Sequence, residues 1–163
     1  MVPDGLAHYG VSLLKFSYPA SWTPTHFDVV FSFSDVEIYL STMNLHDPCV
    51  RNGGSFECSQ PVDHLDPGAV LVSWERNGMP SAEGGPSVGA PNTVIAGDPA
   101  AINIVKGTTL CNLGADEAIT AEIARPRLGK YDITACLRAP GLEANERAVL
   151  AMLNSVVWNL TPG

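Results

Sequence analysis

An α+β domain is what this sequence of 163 residues predicts: a central antiparallel sheet of about six to eight strands, with one long C-terminal helix packed on one face. Three observations carry the prediction. Short segments between residues 10 and 137 alternate apolar and polar side chains with a period of two, the mark of half-buried strands. A single segment, 142–157, carries apolar residues at helical spacing. Two stretches, 45–68 and 77–92, break both patterns with Gly, Pro, Asn and Asp and read as irregular loops.

The elements follow in chain order. Residues 10–18, GVSLLKFSY, form a first strand that Pro19 ends by removing a ladder donor. Phe27, Val29, Phe31 and Phe33 share one face of the next strand, with Asp28 and Ser32 on the other. Ser34-Asp35 turns the chain into a third strand, where Val36, Ile38 and Leu40 alternate with Glu37, Tyr39 and Ser41, so a hairpin is expected. After the 45–68 loop, Val70, Val72 and Trp74 lie opposite Leu71, Ser73 and Glu75. After the 77–92 loop, a strand near 100–106 places Ile102 and Ile104 on one side. Ile119, Ala121 and Ile123 form one strand, residues 125–129 turn, and Tyr131, Ile133, Ala135 and Leu137 form the returning strand. Pro140-Gly141 opens the helix, whose stripe is Val149, Leu150, Leu153, Val156 and Val157. Glu143 and Glu146 near its start complement the helix dipole, Glu143 reaches Arg147 one turn on, and Trp158 is expected against the sheet.

The length fits a single domain spanning 1–163. Hydrophobic residues at 45% and charged residues at 16% exclude intrinsic disorder and a coiled coil, both of which are charge-rich. The net charge of −8 excludes nucleic acid and anionic membrane surfaces as partners, because phosphate contacts need cations. No apolar run reaches the ~18 residues of a membrane helix, so no integral membrane segment is expected.

Cys49, Cys58, Cys111 and Cys136 contain no CxxC spacing, which leaves a zinc ribbon or a thioredoxin-type redox motif without support. Joining the pairs nearest in sequence gives Cys49–Cys58, across the turn-rich PCVRNGGSFEC, and Cys111–Cys136. Crosslinked, the chain belongs outside the cytoplasm, secreted or anchored at the envelope; four reduced, buried thiols would put it in the cytoplasm instead. The opening MVPDGLAHYG has neither a basic region nor an apolar core of a signal peptide, so the exported reading expects a leader, lipid anchor or membrane helix to have been removed. The single sequon Asn159-Leu160-Thr161 carries no weight.

Catalytic and ligand-binding patterns are sparse. Gly85-Pro86-Ser87-Val88-Gly89 matches the G-x-S-x-G nucleophile elbow, which needs a strand before the serine and a helix after it. Prolines 80, 86 and 91 deny it that context, and all four histidines (His8, His26, His46, His64) precede the serine. His46-Asp47 and Asp63-His64-Leu65-Asp66 bracket the first cysteine pair and offer imidazole and carboxylate donors that suit a transition metal, but their spacing imposes no geometry. Glu37 and Glu75 form a conceivable acid–base pair with nothing to fix their separation. No P-loop or dinucleotide fingerprint occurs, and Trp22, Trp74 and Trp158 read as core rather than as a stacking surface. No residue is therefore assigned as catalytic, cofactor-binding or metal-ligating, and no cofactor is expected.

Residues 16–22, Phe16-Ser17-Tyr18-Pro19-Ala20-Ser21-Trp22, resemble the opening of PsbP-like domains. That fold is shared by the photosystem II extrinsic protein PsbP, a Ran-binding import factor and actinobacterial LpqN/LpqT-type lipoproteins. Val94-Ile95-Ala96-Gly97-Asp98-Pro99-Ala100 is similar to a turn and strand of the same fold, and Ser155-Val156-Val157-Trp158 resembles its end. The resemblance implies an α/β/α sandwich used for binding or assembly rather than catalysis. The expected function is thus a non-enzymatic binding or assembly domain of the bacterial cell envelope, with an unidentified protein or small ligand as partner. The alternatives are a cytoplasmic partner-binding domain, or a hydrolase or metal-dependent enzyme using residues 45–92. A binding surface is expected first in the loops 45–68 and 77–92.

Overall fold

The regular alternation between residues 117 and 137 folds into the longest hairpin of the molecule. The computed structural model describes residues 5–10, 14–77, 88–107, 110–125 and 129–159. In it β10 (Glu117–Arg125) and β11 (Gly129–Leu137) pair antiparallel, with Ile119 opposite Ala135 and Ile123 opposite Tyr131. The turn expected between them falls largely outside the described residues. β7 (Val70–Asn77) pairs with the far edge of β11, and β4 (Ser34–Ser41) with β7. The short β3 (Thr23–Thr25) closes that side of the sheet. On the other side β9 (Asp98–Lys106) pairs with β10, and β8 (Thr93–Ile95) with the start of β9. The result is a seven-stranded antiparallel sheet in the order β3-β4-β7-β11-β10-β9-β8.

One face of this sheet is covered by a second, three-stranded sheet and the only helix among the described residues. β1 (Leu6–Gly10) and β2 (Leu14–Pro19) form a hairpin, β12 (Val157–Trp158) adds to β2, and α1 (Leu142–Asn154) lies beside them. Leu14, Phe16, Trp74, Ile133, Val149 and Leu153 are among the side chains buried between the layers. Trp74 of β7 stacks on Phe16 of β2 with ring centroids 4.1 Å apart, and meets the edge of Tyr131 at 6.1 Å. The opposite face is covered by loops. Val62, Leu65 and Leu113 pack on Val36, Tyr39, Leu71 and Ala118, with Cys111 and Cys136 among them.

The α+β expectation is corrected by these layers, together with the α/β/α sandwich and long helix that went with it. Of the described residues 52% are in strands and 9% are helical, so the domain is mostly β. The physical reason lies on the loop-covered face. Leu65 and Leu113 supply there the apolar surface that a second helical layer would have supplied, and the Leu65 N–H donates to the Leu113 carbonyl at 2.9 Å to tie the two loops together.

Three local expectations change as well. The first strand is a hairpin, because residues 6–10 return along 15–19; residues 11–13 lie outside the described set. The helix stops three residues early. The Ser155 hydroxyl donates to the Met152 carbonyl at 2.6 Å and accepts the Ser17 N–H at 2.8 Å, which turns the chain out of the helix and into β12. Met152 therefore joins the buried stripe, while Val157 faces solvent. Residues 27–33 form no strand. β3 takes only Tyr39–Ser41 on that edge of β4. Farther along it the segment meets β4 in a single bridge, Val30 opposite Asp35, before the Phe31 N–H closes a tight turn on the Ser34 carbonyl at 2.7 Å. Phe31 and Phe33 are thereby left 47% and 54% exposed at its tip.

The 45–68 stretch holds one hairpin, β5 (Cys49–Asn52) with β6 (Ser55–Cys58), in which Cys49 and Cys58 stand directly opposite and are disulfide-bonded. The second disulfide joins Cys111 to Cys136 of β11, anchoring the 110–115 loop to the centre of the sheet. Two disulfides point to an oxidising, extracytoplasmic environment. No helix among the described residues is long and apolar enough to cross a membrane.

Candidate functional site

Positions 145, 148, 152 and 155 of α1 and its C-terminal end fall on one side of the helix by three- and four-residue spacing, with Ala151 beside them. Because 148 and 151 are alanines, the helix surface recedes there. Facing this strip is the end of β2 and the turn that follows it. Pro19 ends the strand, the Trp22 N–H bonds back to the Pro19 carbonyl at 3.0 Å, and the Ala20 N–H bonds to Gly5 at 2.9 Å. The two sides enclose a cleft of about 390 Å³. Buried Tyr18, Trp22 and Met152 line it deepest, and the exposed side chain of Leu6 stands at its rim. Ser17, Ser21, Asn145 and Ser155 supply its polar groups.

A second hollow, of about 430 Å³, lies across β2 and is lined by His8, Tyr9, Lys15, Ser17, Ser155 and Val157 among others. His8 and Ser17 are cross-strand neighbours, with Nδ1 2.9 Å from Oγ. A nucleophilic serine needs its histidine oriented by a third group and donors ready for an oxyanion. Among the described residues no carboxylate bonds His8, and the Ser17 N–H is already given to the Ser155 hydroxyl. This pair is a surface hydrogen bond, not a triad.

The groups singled out in the sequence do not converge. His46 Nε2 lies 3.6 Å from Asp63 Oδ1, and His64 Nε2 lies 3.3 Å from Asp66 Oδ1, each imidazole taking one exposed carboxylate. Among the described residues no group of three His, Cys, Asp or Glu side chains is placed to hold a metal. Ser87 and most of its motif lie outside the described residues; Val88 to Asn92 belong to no strand or helix.

Glu37 and Glu75 face opposite sides of the sheet. Trp74 points to the α1 side, so its neighbour Glu75 points to the loop side, where with burial it helps push the Tyr39 hydroxyl up to about 12. A bulge between Val36 and Ile38 turns Glu37 the other way. There Glu37 Oε1 accepts the Tyr131 hydroxyl at 3.0 Å and lies 3.9 Å from Arg76 Nη1. Burial raises the Glu37 carboxyl, and burial together with Glu37 raises the Tyr131 hydroxyl. The hydroxyl thus stays protonated and donates, a clamp between β4 and β11.

Glu117 was missed by pattern reading, since a carboxylate in a strand ordinarily faces water. Here its side chain is inaccessible, under α1. Lys106 Nζ donates to Glu117 Oε2 at 2.6 Å and to Glu146 Oε2 at 3.4 Å, while Glu117 Oε1 has no partner among the described residues. Burial raises the Glu117 carboxyl, while the neighbouring Glu117 carboxyl and Lys106 amine lower that of Glu146. A carboxyl that binds its proton more tightly when folded adds stability that is complete below the ordinary value, 4.5, and is lost as the pH rises through the raised one. Glu146 acts in the opposite sense, its contribution being lost as the pH falls through its lowered value. Replacing Glu117 by Gln should therefore change Tm increasingly in the variant's favour between about pH 4 and about pH 7. Parallel wild-type and variant melting curves across that range would show that folding leaves the Glu117 carboxyl unshifted.

No protein-family model, no curated protein and no solved structure matches this chain.

Proposed function

We propose that this chain is a non-enzymatic binding domain of the bacterial cell envelope, working outside the cytoplasm and holding a small, mainly apolar ligand between α1 and β2. The cleft carries the reading. Its volume of about 390 Å³ falls within the ~300–1,000 Å³ of small-molecule sites, and its composition is theirs: apolar walls with a few polar groups to orient a ligand. The two disulfides support export. Residues 16–22, whose resemblance to PsbP-like domains, envelope lipoproteins among them, adds the cellular setting, supply five of the lining side chains: Ser17, Tyr18, Pro19, Ser21 and Trp22.

Filling the cleft from its half-buried rim tests this. Ala148 is half-buried at the groove, so Ala148→Trp places an indole where the ligand would lie. Wild-type protein titrated into Nile red should give a saturable fluorescence increase, and the variant should bind at least about tenfold more weakly with an unchanged Tm. Equal binding by both proteins would remove the cleft as the site.

A further inference from the structure

β8 and β9, which end the large sheet on one side, are unequal in length. β8 pairs only with Asp98–Ala100, Thr93 standing opposite Ala100. Just beyond, Asn92 takes the place of a strand. Its backbone N–H donates to the Ala100 carbonyl, its Nδ2 donates to the Ile102 carbonyl at 2.9 Å, and its Oδ1 accepts the Ile102 N–H at 2.9 Å. The backbone groups of Ala100 and Ile102 therefore point outward, away from β10. By the two-residue repeat of a strand, those of Ile104 and Lys106 point outward too. Gly107 has the opposite phase, and its N–H does turn inward, to the Asp116 carbonyl at 2.7 Å.

Among the described residues nothing meets the outward backbone groups of Ile104 and Lys106. The side chains beside them are open and β-branched: Ile104, on the α1 side, is 40% exposed, and Val105, on the other side, 38%. Such an edge is a template for one more strand. Proteins ordinarily blunt it with proline or an outward lysine. Here Pro99 sits in the part that β8 already covers, and the Lys106 amine is folded back onto Glu117.

We infer that residues 103–106 of β9 are a docking edge for an extended segment of a protein partner, apolar in its middle and basic at its flank, which adds an eighth strand to the sheet. Charge selects this occupant. Lys106 is held by Glu117 and Glu146, exposed Asp116 stands beside the same end of β9, and the chain carries −8 overall. A second copy would bring a further −8 against this edge, whereas a basic flank is attracted to its acidic end.

The probe is a synthetic peptide of about seven residues, alternating valine and threonine with a lysine at each end. It should bind the intact chain saturably and slow hydrogen exchange at the Ile104 and Lys106 amides. The same peptide with alternate amides N-methylated should bind at least about tenfold more weakly, since it keeps its side chains but loses its donors. Ile104→Pro should lose binding to the same extent, because it removes an outward N–H that the β9–β10 ladder does not use. If that variant is unstable, Ile104→Lys, which keeps the backbone but repels a basic segment, should weaken binding instead. Ala148→Trp should bind the peptide normally, which keeps this edge separate from the cleft. Failure of the peptide to bind, equal binding by the N-methylated form, or unprotected Ile104 and Lys106 amides would overturn the inference. Protection of those amides that grows with protein concentration, with no peptide present, would give the edge to a second copy and overturn the partner.

Discussion

Removing the Cys111–Cys136 crosslink, by substituting both cysteines with alanine, should lower the unfolding free energy by about 3.5 kcal/mol. The crosslink closes a loop of 25 residues' separation, and in the chain-entropy picture the cost of opening it rises with the logarithm of that length. Cys49–Cys58, with a separation of only 9, should be worth about 2.7 kcal/mol. The longer one also does more than restrict the unfolded chain. Cys136 belongs to β11 in the middle of the sheet, so the bond holds Leu113 down on that face, and Leu113 in turn anchors Leu65. Arg138 adds a bond to the Leu65 carbonyl. With Cys111 released, an entire face of the sheet depends on loop contacts alone. The other disulfide spans an exposed hairpin, and its loss should leave exchange protection of the β10 and β11 amides intact. Urea titrations of the two double variants, with wild type run with and without reductant, measure both effects. A midpoint indifferent to reductant would show that the crosslinks do not contribute. If both contribute as expected, a reducing compartment would strip the chain of an amount comparable with the whole net stability of an ordinary domain, about 5–15 kcal/mol. That is the energetic case for an oxidising one.

The strands readable in the sequence are those with a partner on each edge and a consistent buried side. β10 and β11 qualify: Ile119, Ala121 and Ile123 on one, Tyr131, Ile133 and Ala135 on the other, all buried. Residues 27–33 alternate just as regularly, yet they meet β4 in a single bridge and leave Phe31 and Phe33 exposed, because pairing depends on register against a neighbouring strand and a one-dimensional pattern does not carry that. The helix was legible but its end was not, because the competitor was tertiary: Ser155 and β12 satisfy β2 better than one more helical turn would. The short strands β3, β8 and β12 hold two or three residues each, too few to establish a period. The fold class went astray where loops act as core. Leu65 and Leu113 sit in polar, turn-rich surroundings, and nothing local distinguishes a loop that covers a sheet from one that faces water. The cleft was invisible for a related reason. It exists where side chains are missing, at Ala148 and Ala151, and alanine on a helix is ordinarily just a good helix former. The cysteines were the exception, since proximity in sequence limited where each could reach.

Trp74→Ala should destabilise the domain by about 3–5 kcal/mol, the range for losing a fully buried large aromatic. Trp74 is 0% exposed at the centre of β7, and its ring is what the second layer rests on: Phe16 stacks on it from β2, and Tyr131 meets it from β11. Aromatic contacts of this kind add roughly 0.5–1.5 kcal/mol beyond area burial, so the upper half of the range is expected. One feature works against the tryptophan. Its Nε1 has no hydrogen-bond partner among the described residues, and a buried donor left unsatisfied costs about 1–3 kcal/mol. Trp74→Phe deletes that donor while keeping a ring for Phe16 to stack on. It should therefore cost less than half of what Trp74→Ala costs, although it too opens a cavity. Guanidinium denaturation of the two variants decides the matter. Equal losses would mean that the volume of the indole alone matters and that its N–H finds a partner in solution. The cleft supplies a second readout. β2 carries Phe16 on its inner side and lines the cleft with Ser17 and Tyr18, so a cavity under Phe16 loosens the strand that shapes the site. Trp74→Ala should lower Nile red affinity even under conditions where it remains folded, and Trp74→Phe should largely preserve it.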